Sequence, residues 1–263
     1  MARAKRHYIP GHIWHITHRC HKREFLLKFA KDRRRWLQWL FEAKKRYGLV
    51  ILNYVVTSNH IHLLVYDGAG QDVVPRSIQL VAGRSGQEYN ERKRRKGAFW
   101  QDRYHATAVE SGEHLLRCIV YIDLNMVRAG VVDHPSEWFF GGYKEIEEPR
   151  RKCVLIDYEK LRDLVGVETY DQLRASHKGW VDQALTEGNG VRESKWTSSI
   201  AVGDQEFVES TKAQLGIRAK GRNVRETKGS FELREPNAIY FDDFGHENDV
   251  IGPPNMYFWS ACS

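Results

Sequence analysis

Residues 54–65 read Tyr54-Val55-Val56-Thr57-Ser58-Asn59-His60-Ile61-His62-Leu63-Leu64-Val65. The apolar run before Thr57 and the alternating run after Asn59 predict two strands joined by a tight turn. Successive side chains of a strand point to opposite faces, so His60 and His62 share one face while Ile61 faces the core. Two neighbouring imidazoles supply half of a divalent-metal site, although histidines spaced in this way are also often plain polar neighbours.

A second motif, Tyr121-Ile122-Asp123-Leu124-Asn125, follows 59 residues after His62 in a stretch with helical periodicity. Residues four apart are neighbours on a helix, so Tyr121 and Asn125 share one face. Two histidines, an amide oxygen and a phenol suit metal-assisted attack on a phosphodiester, in which the phenol forms a covalent link. The alternatives are that Tyr121 belongs to the core and that Asn125 caps or solvates the helix.

The elements around these motifs follow the order β-α-β-β-α-β and then a third helix. We predict strands at 12–18, 50–56 and 60–66, helices at 31–47 and 75–96, a fourth strand entered through 99–109, and the third helix at 111–128. The predicted fold class is α+β, a ferredoxin-like βαββαβ antiparallel sheet with helices on one face. The third helix would then carry Tyr121 across the open face toward the histidine pair.

The character of the sequence changes after Glu145, where Glu147-Glu148-Pro149-Arg150-Arg151-Lys152 resembles a linker. We predict one domain at 1–148 and a C-terminal extension at 149–263, mainly helical and then loop-rich. Its helices are expected at 157–164, 170–186 and 204–215, with Asp204 as an N-cap and loops from Arg218 onward. An aromatic cluster at 240–259 would form a small core or, alternatively, stack on bases.

Positive charge is concentrated in the first hundred residues, which carry 21 Lys+Arg against 7 Asp+Glu, within a chain of net charge +7. A basic surface beside a phosphate-chemistry site favours a polyanionic partner, whereas basic runs alone often only solvate helices. No stretch approaches the ~20 apolar residues of a membrane span. Four cysteines without paired spacing argue against a zinc finger or a disulfide scaffold and favour a reducing, cytoplasmic setting.

Taken together, these motifs resemble the single-tyrosine HUH transposases of bacterial insertion sequences. The closest branch is that of the REP-associated tyrosine transposases. The resemblance covers about residues 8–145 and is carried by four segments, Trp14–Arg19, Asn59–His62, Phe99–Tyr104 and Tyr121–Gly130.

The resemblance implies that His60 and His62 bind Mg²⁺ or Mn²⁺ and that Tyr121 is the nucleophile that forms a 5′-phosphotyrosine. Asn125 stands where related enzymes use a Gln and would complete the catalytic and metal set. The substrate would be single-stranded DNA beside a hairpin or palindromic repeat. The setting would be the bacterial cytoplasm at the nucleoid, and a monomer is favoured over a dimer.

Basic residues would contact the DNA through its phosphates, which positions a strand without reading its sequence. Near the site these are Arg19, Arg103 and Arg128, while a run at the end of the second helix would follow a hairpin stem, namely Arg92, Arg94, Arg95 and Lys96. Four early histidines, at 12, 15, 18 and 21, are interpreted as surface or DNA-facing, because a spacing of three does not keep them on one strand face.

Two rival functions remain open at this point. A non-catalytic binder of structured DNA or RNA hairpins would keep the fold and the basic surface without useful cleavage. A metal hydrolase that uses a metal-bound water would cleave without a protein–DNA adduct, and so without Tyr121 as nucleophile.

Overall fold

The computed structural model describes residues 9–68, 72–188, 193–227 and 229–234. They form one seven-stranded sheet in the order β2-β3-β1-β4-β5-β7-β6. The strands are β1 Ile13–Arg19, β2 Val50–Val56, β3 His60–Tyr66, β4 His105–Val109, β5 Ala201–Gly203, β6 Asn223–Thr227 and β7 Ser230–Arg234. The α-helices are α1 Ala30–Tyr47, α2 Val73–Arg92, α3 Glu113–Asp123, α4 Asn125–Arg128, α5 Gly142–Glu147, α6 Tyr158–Val165, α7 Tyr170–Thr186, α8 Lys195–Ser198 and α9 Gln205–Leu215.

The first four strands pair antiparallel in the order β2-β3-β1-β4, which confirms the predicted ferredoxin-like arrangement. The tight turn after Val56 makes β2 and β3 a hairpin, and β1 lies between β3 and β4. In this register Thr17 is opposite His62, and His15 is opposite both Leu64 and Thr107. The sheet therefore places side chains from β1 directly beside the histidine pair.

Helices α1 and α2 pack against each other on the sheet face that carries His18. The ring of Trp100 stacks on His18 at 4.2 Å between centroids, and its indole donates to the carbonyl of Ala82 in α2. Helix α1 ends at Gly48, whose φ of 71° is the left-handed conformation that glycine adopts at helix ends. The opposite face carries His15 and the histidine pair, and it is the face covered by the helix that contains Tyr121.

The predicted third helix is divided at Leu124 into α3 and α4. Its N-cap is Gly112, which makes no side-chain cap hydrogen bond, so the helix begins at Glu113 rather than at the predicted residue 111. On α3, Asp123 accepts a 3.0 Å hydrogen bond from the amide of Asn53 in β2. This contact places α3 over the sheet face that bears the histidine pair.

The C-terminal extension continues the same sheet. Strand β5 pairs parallel with β4, and β7 and β6 follow it antiparallel. The predicted helices correspond to α6, α7 and α9, and Asp204 caps α9 by accepting from the backbone of Phe207 at 2.7 Å. The expectation of loops after Arg218 is wrong for β6 and β7, whereas the aromatic cluster at 240–259 lies outside the described residues.

The boundary between 148 and 149 stays a prediction. Among the helices of the described ranges, none is both long and apolar enough to span a lipid bilayer.

Candidate active site

The histidine pair lies at the start of β3 on the face opposite the α1–α2 layer. The rings of His60 and His62 meet edge to face with centroids 5.1 Å apart, and both side chains are buried. The alternation of the strand therefore brings the two imidazoles together, as the sequence predicts.

The turn before β3 fixes the orientation of His60. Its Nδ1 lies 2.6 Å from Oδ1 of Asn59 and 3.0 Å from Oγ1 of Thr57. The Thr57 hydroxyl donates to the backbone oxygen of His60, so at Nδ1 both Thr57 and Asn59 offer an accepting oxygen. His60 therefore carries its proton on Nδ1 and the lone pair on Nε2.

Both ring nitrogens of His62 have partners. Nδ1 lies 2.9 Å from Nε2 of His15, and Nε2 lies 3.1 Å from the amide nitrogen of Asn125. The Asn125 amide can only donate through that nitrogen, so the lone pair of His62 is on Nε2. The histidine pair thus has the tautomers that leave Nε2 of each ring able to bind a cation, with Nδ1 held by a neighbour.

His15 is the functional candidate that the sequence interpretation missed. We expected it at the surface or facing DNA, but it is fully buried, stacks on His62 at 5.0 Å and bonds the carbonyl of Trp196 through Nδ1 at 2.9 Å. Burial lowers the pKa of His15 to about 3, so the ring is neutral. The spacing along the chain gave no signal for this contact, because it depends on the register of β1 against β3, which sets Thr17 opposite His62 and His15 opposite Leu64.

The phenol ring of Tyr121 lies against these imidazoles. Its centroid is 5.8 Å from that of His62 and 6.1 Å from that of His15, in edge-to-face contacts, and 6.2 Å from the Trp196 indole. The side chain is 6% exposed. Helix α3 therefore brings Tyr121 to the histidine pair, although the surrounding protein covers most of it.

Arg128 and Arg19 border this cluster. The guanidinium of Arg128 stacks over the Tyr121 ring at 4.2 Å and donates to the Tyr121 backbone carbonyl at 2.6 Å. Arg19 is the cross-strand neighbour of His60 at the end of β1. Both are half-buried, so each combines a fixed charge beside the cluster with some exposure to solvent.

The other predicted DNA-contact residues divide into two groups. Arg92 pairs with the buried Asp32, and Arg95 bonds the backbone oxygen of Ala98 at 2.8 Å and pairs with Glu24 at 3.3 Å. The second group is exposed and consists of Arg94, Lys96 and Arg103. Two of the four residues of the basic run thus hold the protein's own α1–α2 face and the loop that follows it.

The donor set of the cluster fits a divalent cation only in part. Within the described ranges, no group of three or more His, Cys, Asp and Glu side chains could hold a metal ion. Two imidazoles and the Asn125 amide oxygen, once that amide turns over, give three ligands, and water and a phosphate oxygen can supply the rest. The residues therefore fit a cation that shares its coordination with a bound phosphate.

One family model of known proteins matches part of the chain. Residues 9–125 match the family model described as "Transposase IS200 like". No curated protein sequence matches the chain.

Two solved structures are similar in part. One is a REP-associated tyrosine transposase bound to a REP hairpin, with 19% identity, 60% coverage of this chain, 95% coverage of that chain and a TM-score of 0.45. The other is a candidate transposase from Deinococcus radiodurans R1, with 18% identity, 45% and 92% coverage and a TM-score of 0.33.

The family match ends at Asn125 and so includes His15, His60, His62 and Tyr121. It confirms at family level the resemblance seen in the sequence motifs, whereas the REP-associated branch stays a prediction. Over residues 9–125 this chain is therefore similar to the IS200-like family of transposases.

Proposed function

We propose that the protein nicks single-stranded DNA beside hairpins or palindromic repeats and transfers the cut strand through a 5′-phosphotyrosine on Tyr121. The observation that carries the proposal is the contact of the Tyr121 ring with His62, at 5.8 Å between centroids. This contact puts a nucleophile next to two imidazoles whose Nε2 atoms can bind a cation. Because Tyr121 reaches the histidine pair of its own chain, we take a monomer as the proposed working unit.

The chemistry follows from these positions. The Tyr121 oxygen attacks the phosphorus and loses its proton to solvent, while the bond from phosphorus to the 3′-oxygen breaks and that oxygen takes up a proton. The 5′-phosphate then stays on the phenol, and the free 3′-hydroxyl can later reverse the step. When bound, Mg²⁺ or Mn²⁺ offsets charge on the phosphate and stabilises the leaving oxygen, with His60, His62 and Asn125 as its ligands.

The DNA strand reaches the site from the side of Asn125 and Arg128. Both residues are half-buried, whereas Tyr121 itself is 6% exposed. Arg128 and Arg19 flank the cluster with positive charge, and phosphate contacts there would hold the strand in register. Arg94, Lys96 and Arg103 are exposed and would hold the hairpin, with an affinity that falls as salt rises. Such an enzyme would act at the bacterial nucleoid.

A denaturing gel with end-labelled hairpin DNA and Mn²⁺ or Mg²⁺ tests the proposal. A 3′ label should migrate with the protein, whereas a 5′ label should appear on a shorter, protein-free strand. Tyr121→Phe should abolish both products and retain hairpin binding, and His60→Ala should reduce both.

The other outcomes identify the rivals. Cleavage by Tyr121→Phe without an adduct would support a hydrolase that uses water. Hairpin binding without any cleavage by the wild-type protein, on several hairpins and with both metals, would support a non-catalytic binder.

A further inference from the structure

A line of hydrogen bonds runs from the C-terminal extension to the histidine pair. The backbone carbonyl of Trp196 accepts from Nδ1 of His15 at 2.9 Å, and Nε2 of His15 meets Nδ1 of His62 at 2.9 Å. Nε2 of His62 then faces the Asn125 amide at 3.1 Å. Trp196 and His15 are both fully buried, so solvent does not compete for these bonds.

The direction of each bond follows from the one before it. A carbonyl oxygen can only accept, so His15 carries a proton on Nδ1, and as a neutral ring it has its lone pair on Nε2. Nδ1 of His62 must then donate to that lone pair. A neutral imidazole has a single N–H, so Nε2 of His62 has no proton and can bind a cation.

The C-terminal extension fixes the position of the Trp196 carbonyl, which is the first acceptor in this series of hydrogen bonds. Trp196 lies in α8, outside the 9–125 segment that matches the transposase family. Shortly after α8, the backbone N–H of Ile200 donates to the carbonyl of Leu233 in β7 at 2.7 Å. Thr107 of β4 donates to the carbonyl of Ser199 at 2.7 Å. Ser199 and Ile200 follow Trp196 by three and four residues, so these bonds with β4 and β7 hold the segment that carries the Trp196 carbonyl against the sheet.

We propose that His15 is a positioning residue that sets the tautomer of His62, and that the Trp196 carbonyl of the C-terminal extension sets that of His15. The inference rests on the proposed function, because it gives His62 the role of a metal ligand. It assigns the extension a part in the active site, namely to keep Nε2 of His62 without a proton.

The test uses the full chain with isotope-labelled histidine and reads the tautomer of His62 by nitrogen NMR without metal. Wild type should show the proton on Nδ1. His15→Phe, which keeps a ring but has no acceptor, should shift the proton toward Nε2 and weaken Mn²⁺ binding by about 10- to 100-fold. His15→Gln, whose amide oxygen can accept, should recover part of both effects.

A matched control is available on the same strand. His18 is also buried in β1, but it faces the other side of the sheet and bonds the carbonyl of Asp102 at 2.8 Å. His18→Phe should leave the His62 tautomer and Mn²⁺ binding unchanged. Thermal unfolding of each variant separates a loss of fold from a change of tautomer.

The proposal is overturned if wild type carries the His62 proton on Nε2, a result that needs no variant to fold. It is also overturned if folded His15→Phe keeps the wild-type tautomer and Mn²⁺ affinity. The proposed function fails separately: absence of a DNA adduct from wild type would remove the transposition chemistry and leave the tautomer result standing.

Discussion

His177 of α7 donates a 2.8 Å hydrogen bond through Nε2 to Asp123, the last residue of α3. Both side chains are 1% exposed. Asp123 lies two residues after Tyr121 and also accepts from Asn53 of β2 at 3.0 Å. The end of the helix that carries the nucleophile is therefore fixed between the sheet on one side and the C-terminal extension on the other.

Removal of His177 should destabilise the protein strongly. His177→Ala leaves the Asp123 carboxylate buried without its charged partner, and we expect a loss of about 3–5 kcal/mol in the free energy of unfolding. Urea unfolding measures it. The double variant Asp123→Asn/His177→Ala buries no charge at this position, so it should be more stable than the single variant His177→Ala. A double variant less stable than the single one would contradict the role of Asp123 and His177 as a charge pair.

The His177–Asp123 pair should also make the free energy of unfolding fall as the pH becomes alkaline. Burial opposes protonation of His177, but Asp123, with help from Glu147, raises its pKa from 6.5 to about 9. Because the folded pKa is the higher one, the stabilisation is complete below pH 6.5 and is lost as pH rises through 9. We expect a loss of about 3 kcal/mol over that range.

Urea titrations at pH values from 6 to 10 measure this dependence. Besides Asp123 and Glu147, the ring of Tyr143 faces His177 at 5.0 Å. Burial raises the pKa of Tyr143, so that phenol stays neutral over this range. Asp123→Asn/His177→Ala should flatten the dependence, and an equally steep profile in that variant would assign it to other groups.

Arg128 should matter more for the rate of cleavage than for binding. Its guanidinium stacks on the Tyr121 ring and bonds the Tyr121 carbonyl, contacts that a lysine ammonium reproduces poorly. We expect Arg128→Lys to slow adduct formation by about 10- to 100-fold, or ~1.4–2.7 kcal/mol in the barrier. Single-turnover gels measure the rate, and Arg103→Lys, at an exposed position, should be close to wild type.

Substitutions of the basic residues should fall into two groups, those that weaken hairpin binding and those that lower stability. Arg94→Gln, Lys96→Gln and Arg103→Gln should each weaken hairpin binding and lower the slope of log affinity against log salt by about 0.7–0.9. Arg92→Gln should instead lower stability by about 1–3 kcal/mol, because it leaves the buried Asp32 without its partner. Fluorescence anisotropy at several salt concentrations and urea unfolding distinguish the groups. A normal stability for Arg92→Gln would contradict this division.

Asn125 should respond to substitution as a metal ligand does. Asn125→Asp offers a carboxylate oxygen, which Mg²⁺ and Mn²⁺ favour, and should retain or strengthen Mn²⁺ binding in the absence of DNA. Asn125→Leu removes the third ligand and should weaken binding by about tenfold. Calorimetric titration with Mn²⁺ measures both. Equal affinities in the two variants would show that Asn125 does not bind the cation.

Local sequence signals predicted most of the helices and strands in the first 128 residues. The bounds of β2 and β3 agree with the structure because a tight turn and a run of alternation mark them. In the C-terminal extension the bounds of α7 also agree, and a Thr169–Gln172 capping box marks its start. The shared face of His60 and His62 followed from strand periodicity, whereas the approach of Tyr121 was an inference from the predicted packing of the third helix. Helix α2 ends at Arg92 rather than at residue 96, because Arg94 adopts a positive φ of 50°.

The features that were missed depend on contacts between distant segments. Strand β5 has only three residues, and β6 is largely exposed and polar, so neither shows the alternation of a half-buried strand. His15 was grouped with three other histidines by spacing along the chain. Its partner becomes evident only when the register of β1 against β3 is known.

The parallel pairing of Ala108 in β4 with Ala201 in β5 has a practical consequence for shortened versions of the chain. A fragment that stops near residue 148 would lack β5, so β4 would become an edge strand whose backbone donors and acceptors are unpaired on one side. An exposed edge strand of this kind is a template for strand addition between molecules. Recombinant production of the N-terminal part alone should therefore yield aggregates, and a soluble fragment would need its own cover for that strand.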